Sequence, residues 1–142
     1  MAEAAAGTVH LSGPCRRRIR ELAEAAWPHE ACGLLEGHAI GRNAHVRRVL
    51  ACRNEHERPA ERYLIDPEAF LRADRAAGRA GRAIVGVWHS HPNGAAWFSQ
   101  TDRAEAWPGW SYLVAAIERG RMCALQAWHV GTDVQAQRIV PR

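Results

Sequence analysis

Two histidines one residue apart, in His89-Ser90-His91, carry the clearest chemical signal in the chain. On a β-strand alternate side chains share a face, so both imidazoles can reach a single ion. A catalytic zinc site usually takes three protein ligands and keeps its fourth position for water, so one more carboxylate, imidazole or thiolate is wanted nearby. Asp102 can supply it, because Pro92, Asn93 and Gly94 open the intervening stretch with turn-forming residues that let the chain fold back. Ser99 stands three positions before Asp102, the spacing of a side-chain-capped helix start. Taken singly, the histidines read equally as surface or capping residues, and Ser99 with Asp102 as nothing more than a helix cap.

These side chains need a strand end and a helix start to hold them. The run Ala83–Trp88 is almost wholly apolar, which predicts a strand covered on both faces that delivers His89 at its end. The helix that opens at Ser99 must be short, because Pro108-Gly109 stops it. Upstream, Thr8–Ser12 predicts a short strand. Pro14 then starts a helix whose stripe is Ile19, Leu22, Ala23 and Ala26, ending near Trp27-Pro28. Ala31–Glu36 and His45–Cys52 read as a hairpin about the glycine-containing segment between them, and Tyr63-Leu64-Ile65 as a further strand. Asp66-Pro67 caps a helix running through Phe70 and Leu71 toward Gly78 or Gly81. Trp110–Glu118, Met122–Val130 and Val134–Val140 read as three closing antiparallel strands. The expected fold class is α/β: one domain over residues 1–142, with a mixed, mostly antiparallel sheet flanked by helices and residues 1–7 disordered.

At 142 residues the chain suits one domain that buries about two thirds of its unfolded surface. Its apolar fraction is inflated by 27 alanines, and no charge-free apolar run is long enough for a membrane span. The start, MAEAAAGTVH, lacks the basic and apolar regions of a signal peptide, so a cytoplasmic setting is expected. Cys15, Cys32, Cys52 and Cys123 form no CxxC pair and are expected to be reduced, Cys32 as a small buried residue and not a nucleophile. All nineteen basic residues are arginine, a bias that empties the +4 net charge of meaning about partners. Arg16, Arg17, Arg18 and Arg20 cluster, but Glu21 and Glu24 interrupt them, which reads as a solvated helix face and not a nucleic-acid surface. Other zinc patterns fail. His29-Glu30 meets Gly33, and His56-Glu57 meets Ala60, where HExxH needs a second histidine. The HxE and PCxxC of nucleobase deaminases are missing.

The whole constellation resembles the JAMM (MPN-plus) zinc metalloprotease family, whose motif is an upstream glutamate, then HxHP, then SxxD, with seven residues between the second histidine and the serine. Every position is filled: Glu30 within Pro-His-Glu-Ala-Cys-Gly-Leu-Leu, then His89, His91, Ser99 and Asp102. Tyr63-Leu64-Ile65-Asp66-Pro67 also looks like a family segment, and the resemblance spans roughly residues 9 to 118. It implies the MPN fold, related to that of cytidine deaminases, and one Zn2+ per chain held by His89, His91 and Asp102. Two departures bear on substrate fit. Phe98 stands where members commonly carry proline, and the short chain leaves little room for the insertions with which eukaryotic members grip ubiquitin.

The chemistry implied is amide or isopeptide hydrolysis by a metalloprotease. Two neutral imidazoles and one carboxylate leave zinc with residual positive charge, enough to acidify water and polarise a carbonyl. Glu30, not needed as a ligand, is cast as the general base that passes a proton to the leaving amine, and Ser99 as the hydroxyl donor to the developing oxyanion. The resemblance offers as substrate the C-terminal tail of a ubiquitin-like protein, in particular a sulfur carrier of the ThiS or MoaD type, with Trp97-Phe98 and a strand edge to hold it. A zinc amidohydrolase acting on a small molecule and a non-catalytic MPN scaffold are the competing readings, the second of which predicts a broken motif. Homo-oligomerisation is left open.

Overall fold

The computed structural model describes residues 6–141. Its elements in chain order are β1 (Thr8–His10), α1 (Gly13–Ala26), β2 (Cys32–Ile40), β3 (Asn43–Cys52), α2 (Pro67–Arg79), β4 (Ala83–His91), α3 (Gln100–Glu105), β5 (Ser111–Glu118), β6 (Arg121–Val130) and β7 (Val134–Val140). The strands form one mixed sheet in the order β1-β3-β2-β4-β5-β6-β7, which closes on itself because short β1 pairs in parallel with both β3 and β7. The expected mixed α/β architecture is therefore present, with closure as an addition. Of the start expected to be disordered, residues 1–5 lie outside the described residues. Ala6 is buried, and its carbonyl accepts a hydrogen bond from Gln137 Nε2 at 3.0 Å.

The helices begin where side-chain caps allow. Ser12 Oγ accepts from the Cys15 backbone N–H, with Pro14 in the first turn of α1, and Asp66 Oδ1 accepts from the Glu68 N–H at the head of α2. Arg16, Arg17 and Arg20 of α1 face solvent and Arg18 Nε donates to the Val49 carbonyl at 2.8 Å, while Ile19 and Ala23 are buried.

β4 lies between antiparallel β2 and parallel β5 and is buried from Ile84 to His91. Alternation along it divides the core. Trp88 packs with Val9, Ile19, Leu35, Leu113 and Ile117 on one face, while Val87 packs with Leu34, Phe98, Tyr112 and Val114 on the other, where Phe70 and Trp110 join them. Trp88 reaches across β2 to donate its indole N–H to the Leu50 carbonyl at 2.9 Å. Only glycine fits beneath it, since a Cβ on Gly33 would stand 1.8 Å from that carbonyl oxygen and 2.4 Å from the indole nitrogen.

One predicted strand is not formed. Tyr63-Leu64-Ile65 lies outside the sheet, and its backbone is held by a bond from Glu55 N–H to the Leu64 carbonyl and by the Asn54 side chain. The residues have strand propensity, but a side chain occupies the place that a neighbouring strand would need.

Candidate metal centre

The period of β4 puts His89 and His91 on one face, with their Nε2 atoms 3.2 Å apart. Asp102 comes to them from the first turn of α3, where Ser99 and Asp102 form a reciprocal capping box: Ser99 Oγ accepts from the Asp102 N–H, and Asp102 Oδ2 from the Ser99 N–H, each at 3.0 Å. The cap fixes the carboxylate, whose Oδ1 lies 3.1 Å from His89 Nε2 and whose Oδ2 lies 3.1 Å from His91 Nε2. In a tetrahedral zinc site with bonds of about 2.0–2.2 Å, ligand atoms stand about 3.3–3.6 Å apart, close to this spacing.

The donor set calls for a cation on its own terms. His91 Nδ1 lies 2.9 Å from the Ala95 carbonyl, which can only accept, so the neutral ring carries its proton there and turns the Nε2 lone pair toward His89 and Asp102. That lone pair and the two carboxylate oxygens are electron-rich atoms gathered in a buried space. Burial holds the His89 pKa below its ordinary value, with His91 adding to the effect and Asp102 opposing it, which favours the neutral ring that a metal would need. Burial acts against the Asp102 carboxylate, yet its contacts with the His89 and His91 imidazoles and the Ser99 N–H outweigh it, and its pKa lies far below the usual range. His89 Nδ1 is buried with no partner among the described residues, so packing orients the ring. Tyr63 stacks on it with centroids 4.5 Å apart.

Glu30 stands just before β2 and is buried at 7% exposure. The next residue, Ala31, is gripped by Ser90: the Ala31 N–H donates to Ser90 Oγ at 2.8 Å, and the Ser90 N–H to the Ala31 carbonyl at 3.0 Å. The middle residue of the His-Ser-His pattern thus fastens Glu30 beside the histidines. Burial, reinforced by the Asp102 charge, pushes the Glu30 pKa up to about 8, and a cation at the centre would draw it back down. Glu30, His91, Ser99 and Asp102 open into one cleft of about 700 Å³. Its inner wall is apolar, built by Ile65, Phe70, Val87, Trp110 and Tyr112.

All five expected site residues, Glu30, His89, His91, Ser99 and Asp102, therefore meet at one end of β4. Trp97 and Phe98 part company: Phe98 is 4% exposed and packs on Tyr112 and Trp128, whereas Trp97 is 66% exposed at the cleft. Cys32 is buried, and burial, with Cys52 and Glu30 adding to it, pushes its thiol up to about 12, which leaves it unreactive. Sequence reasoning assigned no role to Ser90, Tyr63 or Asn54, the last of which donates to the Glu30 carbonyl at 3.0 Å. The place of Ser90 between the two histidines was the local sign of the first.

The model of the prokaryotic homologs of the JAB domain matches residues 12–131. The desampylase of Haloferax volcanii is 37% identical over 106 residues, covering 74% of each chain. A Thermus thermophilus protein, named a probable TtuB-protein conjugate cleaving protease, is 39% identical over 89 residues, 63% of this chain and 55% of its own. A JAB1/MPN domain protein from Archaeoglobus fulgidus superposes with a TM-score of 0.58 over 92% of this chain and 98% of its own; at 15% identity the likeness is one of fold. The hydrolase reading drawn from the motif agrees with these relatives, and the chain belongs to the prokaryotic JAB-domain family.

Proposed function

We propose that this chain is a zinc-dependent hydrolase that cleaves an amide or isopeptide bond at the C-terminal tail of a ubiquitin-like sulfur-carrier protein. The observation that carries the reading is the convergence of His89 Nε2, His91 Nε2 and the Asp102 carboxylate beside a buried glutamate in an open cleft. The names of the Haloferax and Thermus relatives support a conjugate of a small carrier protein as substrate.

His89, His91 and Asp102 would hold one zinc ion, which supplies Lewis-acid chemistry: polarisation of a carbonyl and acidification of water near neutral pH. Glu30 accepts a proton from the attacking water and returns it to the departing amine. Ser99 uses its oxygen lone pair to cap α3, which leaves its hydroxyl hydrogen free to donate to the oxyanion. β4 is paired with β2 and β5 beside the site, so strand addition there has no free edge. Side chains of the cleft therefore hold the tail, with the apolar inner wall receiving its larger residues and Trp97 and Trp107 covering it from outside. A reducing cytoplasm suits the free thiols of Cys15, Cys32, Cys52 and Cys123.

The test is to incubate the zinc form with a carrier protein extended beyond its Gly-Gly terminus, with linked ubiquitin, and with small acyl amides, and to weigh the products. Cleavage after Gly-Gly of the carrier, with the ubiquitin linkage intact, is expected. Turnover of the small amides alone would replace the substrate with a small molecule, and inertness toward all three with zinc bound would favour a scaffold.

A further inference from the structure

Residues 53–66 cross the front of the site without regular structure, and one side chain organises them. Asn54 Nδ2 donates to the carbonyls of Glu30 and Arg62, both at 3.0 Å, which uses its two hydrogens; the Pro59 carbonyl lies at 3.5 Å. Asn54 Oδ1 accepts from the N–H groups of His56 at 3.0 Å and Leu64 at 3.1 Å. These bonds bracket Tyr63, whose ring stacks on the ligand His89. The Glu30 N–H in turn donates to the Pro59 carbonyl at 2.7 Å. Thus the peptide of Glu30 is tied to the 53–66 segment at both its N–H and its carbonyl, while Ala31 is tied to β4 through Ser90.

We infer that Asn54 is a positioning residue for hydrolysis, the pin that joins the Glu30 peptide to the cleft wall so that Glu30 is held against the metal-ligand cluster. The inference rests on the proposed role of Glu30 as base. An amide is required at this position, because two carbonyls must be given hydrogens and two N–H groups must be given a lone pair, and neither aspartate nor leucine can do both. The metal-ligand residues stand on β4 and α3, and the pin reaches them through the Tyr63 ring on His89, so ion content is measured beside base placement to separate the two.

The test compares zinc-loaded wild type with Asn54→Asp, which keeps size and acceptor but removes both donors, and with Asn54→Ala. Four quantities are measured: ion content, the rate of trypsin cleavage after Arg62, the rate at which a water-soluble carbodiimide and an amine label Glu30, and kcat and KM on the Gly-Gly-tailed carrier. Ion content is expected to hold at one per chain in both variants. Cleavage after Arg62 and labelling of Glu30 should each rise by about tenfold or more. Displacing a base by about an ångström costs about 10²-fold, so kcat should fall by about that factor while KM stays within about threefold. The inference is overturned if Asn54→Asp matches wild type in trypsin and labelling rates, if kcat is unchanged when those rates rise, or if the loss of kcat tracks loss of zinc. Wild type that cleaves no carrier would count against the proposed substrate alone, and the trypsin and labelling rates would then decide whether Asn54 pins Glu30.

Discussion

The two halves of the site are built by opposite means. The proposed ligand half rides on stiff elements: His89 and His91 share a face of β4 because strands alternate, and Asp102 is aimed by the capping box that starts α3. The proposed base half has no element of its own. Glu30 precedes β2 and is held by hydrogen bonds from Asn54 and to Pro59, and by the clasp of Ser90 on Ala31. Geometry that depends on local periodicity survives the loss of a distant contact, whereas geometry assembled from single long-range bonds does not. The halves should therefore fail separately.

The largest effect is expected from the ligands. His89→Ala removes one of three donors, and Asp102→Asn removes the charge while leaving an amide oxygen to cap α3. Both should purify with zinc well below one ion per chain, and hydrolysis should drop below detection. Elemental analysis beside a rate assay checks this; full occupancy in either variant would show that the centre is held by other groups. Next is Glu30→Gln, close in shape but without a base. It should keep its zinc and lose about 10²- to 10⁴-fold in kcat. Equal zinc loss in this variant would make Glu30 a ligand and merge the two halves.

The same contrast governs what could be read in advance. Ala83–Trp88 announces a central strand because a strand buried on both faces must be apolar throughout, and the His-Ser-His spacing then needs only the two-residue period. Ser99 and Asp102 are legible through cap spacing, and Asp66-Pro67 likewise marks the start of α2. Tyr63–Ile65 was readable in composition but not in partnership, since an asparagine side chain supplies what a neighbouring strand would. Closure of the sheet rests on the parallel pairing of β1 with β7, elements from opposite ends of the chain, and no local pattern encodes it. The position of Glu30 was legible only through the family motif, because its supports lie on segments far away in sequence.

Ser99 tests whether the stiff half also takes part in chemistry. Ser99→Ala removes the cap of a six-residue helix, about 1 kcal/mol of stability, and with it the proposed oxyanion donor, about 10²- to 10³-fold in kcat. Ser99→Thr keeps a hydroxyl for both tasks and should restore most of each. If Ser99→Ala lowers the melting temperature by a few degrees but leaves kcat unchanged, Ser99 is a cap alone.

The smallest effect is expected at the rim, where neighbouring aromatics divide along the same line. Phe98 is packed against Tyr112 and Trp128 under the cleft, so Phe98→Ala should cost about 3–5 kcal/mol of stability and report nothing specific about substrate. Trp97 is mostly exposed and packs into neither core cluster, so Trp97→Ala should leave stability within about 0.5 kcal/mol. Its indole stands at the mouth of the cleft, where an incoming tail would cover it. Loss of that contact, about 1 kcal/mol, should raise KM about fivefold on the carrier and leave kcat alone, because the contact is the same before and during bond cleavage. Small acyl amides, which do not extend to the rim, should show no change. A KM that rises equally for carrier and small amide would place Trp97 in the inner cleft and shift the reading toward a small-molecule substrate.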